Sequence, residues 1–441
     1  MADTTGTSWS DIPLDLAGRI LRRLPAHVDR VRFAAVCPQW RAATRHGPLP
    51  PPLPLLLLSD SRVYSLPGSD PFHFPGSTGY TDACGDWLMF SSEEGRFLRD
   101  PFSNATVTLP PLSRVRTRLV GTDGGPVWSQ APSTAPTTMK CPPSTRCGRD
   151  GGGVLKDEDG LSPGPSLTLE ERPLHVDVGD ESLDVATLAW MEMAETLKLE
   201  MEPKNCKLWL CSSNLIVATI YFTGGQRIAV CQAGATSWWS VWAENLCVSF
   251  DDMAFHQGKL YAIDFMVTLF AIDVSVDHSS GDPWISQIRN VIECPCLDIG
   301  YFLRGGHMMA HLVESRGVLL VVMRKLCDPF DDLDGPDAAG HAEFEVFEAD
   351  LSQSQWLKVT TIGNNEILFL SRRCSRSVCA PHNALPGDCI FFLEKGWDHS
   401  LCAGSSSCRV YSMTDGKVSN PLPTVSWEPG MVFGTWLFPQ S

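Results

Sequence analysis

From Leu55 onward the sequence is a succession of short β-rich runs broken by turn residues, and this repetition limits the fold more than any other feature. The runs "RVYSLPGSD", "DWLMFSSEEGRFLRDPFSNATVTLPPL", "RIAVCQAGATSWWSVW", "KLYAIDFMVTLFAIDVS", "FEVFEADLSQSQWLKV" and "CRVYSMTDGKVSNPL" are each hairpin material. Several share one order, as in 344–359 and 408–418: an apolar strand, an Asp, Ser or Gly turn, then a strand opening near an aromatic residue or valine. Hairpins repeated over so long a stretch predict a radial array of small antiparallel sheets, a β-propeller, rather than one sandwich. The repeats are too degenerate to count blades. A ring must also close, so the late run "GMVFGTWLF" is expected to share a blade with early strands.

The head of the chain has another period. In "WSDIPLDLAGRILRRLP" the apolar residues Leu16, Ala17, Ile20, Leu21 and Leu24 fall on one helical face, with Pro13 in the first turn and Pro25 as the stop. The next stretch supplies Val28, Val31, Phe33, Ala35 and Val36, and Pro38 suits the first turn of a third helix bearing Trp40 and Arg41. Three helices this short cannot bury so much apolar surface alone. They either cap the following domain or meet a partner. The stretch "HGPLPPPLPLLLLSD" predicts a stiff, extended spacer with few contacts crossing between the domains it joins.

Charge narrows the partners. The whole chain carries −16, yet its first 46 residues hold seven arginines against four aspartates, a local +3 that leaves the remainder at −19. An acidic body argues against nonspecific binding to nucleic acid or an anionic membrane, and no apolar run is long enough to span a bilayer. No leader is read at the N-terminus. The sixteen cysteines are scattered and lack CxxC spacing, which points to reduced, mostly buried thiols and leaves the sequon at Asn104 unused.

Catalytic and metal signatures fail on inspection, so the expectation is no enzyme, no metal and no cofactor. His307 and His311 in "HMMAH" lack the glutamate of HExxH, and strand flanks would splay them. The acidic run 328–337 puts Phe330 where a calcium loop needs its first ligand. His256 is expected to close a turn.

The run Ile12-Pro13-x3-Ala17-x2-Ile20-Leu21-x2-Leu24-Pro25, continued by Asp29-x-Val31-x4-Val36-Cys37-x2-Trp40-Arg41, resembles the F-box over that motif's whole length. Ile12 stands where the family more often has leucine. The resemblance implies docking on a Skp-type adaptor, and through it a cullin, with Pro13, Leu14, Ile20, Leu21, Leu24, Val36, Cys37 and Trp40 including the interface and the packing that shapes it. A basic rim around an apolar face suits an acidic adaptor. Farther on, "SFDDMAFHQGKLYAIDFMVTLFAID", "HLVESRGVLLVVMR", "FEVFEADLSQSQWLKVTTIGNNEILFLS" and "WEPGMVFGTWLFPQS" resemble the KIB-type β-propeller abundant in plant F-box proteins.

The expected organisation is therefore multidomain, α plus all-β. It comprises a three-helix F-box (9–46), a proline-rich linker (47–54), the start of a propeller (55–112), an acidic low-complexity insertion (113–203) and the rest of the propeller (204–441). The first part of the insertion is too poor in large aliphatics to repay its ordering entropy and is expected to be disordered. Its second part has helical spacing at Leu183, Leu188, Met191 and Leu197, so a short acidic helix is expected. These readings imply a non-catalytic substrate receptor of a Skp–cullin–F-box ubiquitin ligase in the cytoplasm, the nucleus or both, with an unknown protein target. The competing reading is a scaffold or ligand-binding propeller whose helices pack in cis.

Overall fold

The structure is a computed structural model. It describes residues 9, 12–45, 47–58, 60–68, 70–93, 95–111, 114–119, 190–192, 207–210, 215–222, 225–242, 250–293, 307–326, 343–363, 365–379, 385–394, 407–420 and 434–439. The chain divides into two units, and the second, Ala131–Leu188, lies outside the described residues.

Three helices open the first unit: α1 (Leu14–Arg22), α2 (His27–Val36) and α3 (Pro38–Ala43). Ala17 and Leu21 of α1 pack with Phe33 of α2 and Ala43 of α3 in a small core. Proline serves α3 at its first turn, as its fixed φ and missing N–H allow, and the Cys37 Sγ caps the helix by accepting from the Trp40 N–H at 3.4 Å.

Six sheets follow, making a six-bladed propeller. Blades 2, 4 and 5 are four-stranded meanders starting at Asp82–Cys84, Phe250–His256 and His307–Ser315. Blade 1 joins Leu55–Leu57 and its two successors to Thr435–Leu437, antiparallel, with Leu56 opposite Trp436. The late run thus closes the ring on the early one. Blade 6 carries an extra inner strand, Arg376–Cys379, folded back on Glu366–Leu370, which leaves Glu366–Leu370 parallel to Cys389–Glu394.

The core is divided into six wedges, one between each pair of neighbouring blades. Each blade buries both of its faces, and this explains why its central strands are uninterrupted apolar runs rather than alternating ones. In Leu55–Leu58 the side chains of Leu56 and Leu58 enter the wedge against blade 6, while Leu55 and Leu57 enter the wedge against blade 2. Likewise Ile367 and Phe369 face blade 1, whereas Leu368 and Leu370 face blade 5.

Two expectations are corrected. Where the helical spacing fell, Trp190–Glu192 is a strand paired antiparallel with Arg116–Arg118, and Val115–Leu119, inside the expected insertion, runs parallel to Trp238–Trp242 in blade 3. Pairing with an available sheet edge overrides local helical periodicity. The rest of 120–206 is outside the described residues. The proline-rich stretch is also no free spacer. The Leu53 N–H donates to the Pro25 carbonyl at 2.9 Å, Ala26 and Leu53 form a parallel bridge, and Leu53 is fully buried.

Candidate adaptor face and propeller channel

The apolar stripe of α1 is wider than the three-helix core can cover. Ala17 and Leu21, four residues apart, point inward, and the neighbouring pair Leu16 and Ile20 stays 44% and 38% exposed. On α2, Val31 and Val36 are 53% and 58% exposed. Arg19, Arg22 and Arg23 are exposed beside them and make a basic rim.

The eight residues singled out from the sequence separate into roles. Pro13, Ile20 and Val36 are exposed. Leu21 is wholly interior, and Leu14, Leu24 and Trp40 are half-buried against the same core. The Trp40 indole stacks on Phe33 with centroids 4.4 Å apart, and its Nε1–H donates to the Trp9 carbonyl. Cys37 caps α3. Leu16 and Val31 were absent from that set although both are exposed. The adjacent i,i+4 pairs Leu16/Ile20 and Ala17/Leu21 are the signal that one row must face outward.

Other residues of the helical unit meet the linker and the propeller. Arg30 is buried, and its guanidinium donates to the Leu24 carbonyl at 2.7 Å and the Pro50 carbonyl at 2.6 Å. The His27 ring meets the Phe102 ring edge-on at 5.6 Å, in the turn after strand Gly95–Arg99 of blade 2. Burial, reinforced by Arg30, holds the His27 imidazole below its ordinary range.

A second concentration of polar groups lies among the inner strands of the propeller. The Arg373 Nε approaches the Asp82 Oδ1 to 2.7 Å, and the Arg376 Nη2 approaches the Asp86 Oδ2 to 3.1 Å. Burial pushes both carboxyls up, against the opposite pull of these arginines. Asp252, on the first strand of blade 4, accepts from the backbone N–H groups of Met253 and Leu312 at 2.9 and 3.0 Å. His311 Nδ1 stands 3.8 Å from Asp252 and 3.3 Å from the Ser375 Oγ. Around these groups is a cavity of about 260 Å³, lined also by Phe255, Glu314 and Cys374.

No reactive constellation emerges among the described residues. His307 and His311 share one strand, about 13 Å apart at ~3.3 Å per residue, and no group of three metal-ligating side chains is brought together. His256 ends its strand at a turn through Gln257 and Gly258, both with positive φ. The acidic run 328–337 lies outside the described residues. Five of the seven described cysteines are buried. Among the described residues no helix is long and apolar enough to cross a membrane.

Comparison with known proteins agrees with both halves. The F-box domain model matches residues 9–49, and the KIB1-4 beta-propeller model matches residues 55–412. Two Arabidopsis thaliana proteins that carry F-box names are similar. At3g25750 is 19% identical over 416 residues, 94% of this chain and 93% of its own length. At5g55150 is 23% identical over 245 residues, 55% of this chain and 62% of its own length. An F-box joined to a propeller supports a substrate-recognition role in an SCF-type ligase, in which F-box proteins are generally non-catalytic. With its helical head, six inner-strand blades and matched models, the chain belongs to the KIB1-4 beta-propeller family and carries an F-box domain at its head.

Proposed function

We propose that this chain is the substrate receptor of a Skp–cullin–F-box ubiquitin ligase, holding a target protein on the propeller while the F-box engages the adaptor. The observation that carries the reading is the division of α1 into two apolar rows. One row fills the core through Ala17 and Leu21, and the other leaves Leu16 and Ile20 uncovered, with Val31 and Val36 exposed on α2. Uncovered apolar groups rimmed by arginine fit an acidic adaptor. The work done is proximity: the target is kept near a ubiquitin-charged enzyme with no chemistry by the receptor's own side chains. Buried cysteines scattered through a long chain suit the reducing cytoplasm or nucleus, where this reading puts the protein.

The test is capture of a recombinant Skp-type adaptor by the full chain. The double variant Leu16→Asp/Ile20→Asp places charges on the open row and leaves Ala17 and Leu21 untouched, so it should keep its circular dichroism spectrum and lose the adaptor. Adaptor binding at wild-type affinity by that folded variant would refute the placement of the face. A wild-type chain that binds no adaptor would leave the cis-packing scaffold as the better reading, which the His27–Phe102 contact favours.

A further inference from the structure

The strand directions bring the F-box and the channel cavity to one side of the ring. In blades 2, 4 and 5 the turns after the inner strand, at Gly85, at Gln257–Gly258 and at Arg316–Gly317, follow strands that run in one common sense. Leu55 begins the second strand of blade 1 opposite Leu437, the last residue of that blade's inner strand, so the chain enters the propeller from that same side. Phe102, which touches His27 of α2, sits in a turn between the third and fourth strands of blade 2, again on that side.

The cavity is graded from floor to mouth. Asp252 and Cys374 at its floor are buried, while Phe255 is 40% exposed and Glu314 is exposed at the rim. Both arginines that line it are engaged with Asp82 and Asp86. With each arginine offset by the aspartate behind it, the four carboxylates Asp82, Asp86, Asp252 and Glu314 outnumber Arg373 and Arg376 by two, and His311 and Cys374 are titratable neighbours of Asp252. At about 260 Å³ the space is smaller than the ~300–1,000 Å³ of typical small-molecule sites and suits one long side chain.

We propose that this mouth receives a single Lys or Arg side chain of the target protein. The stem of that side chain lies along Phe255, and its cationic head is drawn by Glu314 and Asp252. An aromatic rim beside two carboxylates whose neighbouring arginines are already paired rewards a cation twice, by cation–π attraction and by direct Coulomb attraction in a partly desolvated site. The propeller part of the chain is acidic as a whole, which steers a basic segment toward it. The inference rests on the receptor reading and names the chemistry of its target, and the shared side places the captured segment beside the adaptor.

Panning a random peptide library displayed on phage against the immobilised full-length chain tests it. Enriched peptides should carry a Lys or Arg next to an apolar residue. They should bind Glu314→Gln and Phe255→Ser each about tenfold more weakly, a loss of ~1.4 kcal/mol. Both positions are exposed, and the Gln oxygen can still accept from the Gly317 N–H, which Glu314 holds at 2.9 Å, so both variants should keep the wild-type circular dichroism spectrum. The inference is overturned by enrichment without basic residues, by no enrichment, by peptides indifferent to both variants, or by a mouth that takes spermidine and no peptide. Adaptor capture by the same preparation separates the two readings. A chain that binds adaptor and selects no basic peptide fails only here, and a chain that selects basic peptides without binding adaptor fails only as a ligase receptor.

Discussion

Arg373 of blade 6 reaches Asp82 of blade 2 at 2.7 Å, an ion pair that spans the channel past blade 1. Both side chains are about one-tenth exposed, 8% and 11%, so the pair is held in a medium where an uncompensated charge is expensive. Asp82→Leu or Arg373→Met alone should therefore destabilise the protein by about 3–5 kcal/mol. The double variant Asp82→Leu/Arg373→Met should recover most of that loss, because two apolar groups leave no orphan charge. Urea denaturation of the four proteins measures the cycle, and additive losses would mean that the two residues do not act as a pair.

Ring closure has its own signature. Trp436 is fully buried, its Nε1–H donates to the Leu370 carbonyl of blade 6 at 3.0 Å, and its ring meets Phe369 edge-on at 5.0 Å. Trp436→Ala should cost about 3–5 kcal/mol, read from the urea midpoint. Truncation after Asn420 removes the inner strand of blade 1 and exposes a strand edge, so the shortened chain should elute as aggregate on size exclusion.

Arg30 ties α2 to the end of the α1 loop at Leu24 and to the linker at Pro50 by two hydrogen bonds from a charged group, of the kind worth about 1.5–3 kcal/mol each. Arg30→Met keeps the stem and removes both bonds. It should speed protease cleavage between residues 45 and 52 while the unfolding midpoint of the propeller stays in place. Limited proteolysis with mass spectrometry reads the first effect, and near-ultraviolet circular dichroism in urea reads the second.

Two buried thiols make the fold sensitive to alkali. Burial pushes Cys374 and Cys408 from 9.0 up to about 12. Between these values an unfolded thiol ionises and the folded one keeps its proton, so stability is full below pH 9 and falls as pH rises toward 12, by at most about 1.4 kcal/mol per pH unit per thiol. At pH 8 iodoacetamide should label exposed Cys379 in the native protein and reach Cys374 and Cys408 only after denaturation. Mass spectrometry of the alkylated peptides decides this, and native labelling of Cys374 would show that its wedge opens.

The class of fold was written in local pattern. Short runs such as 344–359, with a turn between two strands, need only neighbouring residues to declare a hairpin, and Pro13, Pro25 and Pro38 set helix limits by removing donors and fixing φ. The F-box pattern and the closing strand at Thr435–Leu437 were legible for the same reason: spacing in the first case, the cost of an open edge in the second. What local pattern does not contain is distance between segments remote in sequence. The number of blades follows from how six wedges of side chains fill the ring, and only the wedges show that adjacent leucines of Leu55–Leu58 serve different neighbours. The same limit separated Leu21 from Ile20: a helical stripe announces that both are apolar, and only the packing of α1 against α3 decides which is core and which is left for a partner. Asp82 and Arg373 stand 291 positions apart and met only when the ring closed, because a charge pair across a channel is specified by topology and burial, not by any period in the chain.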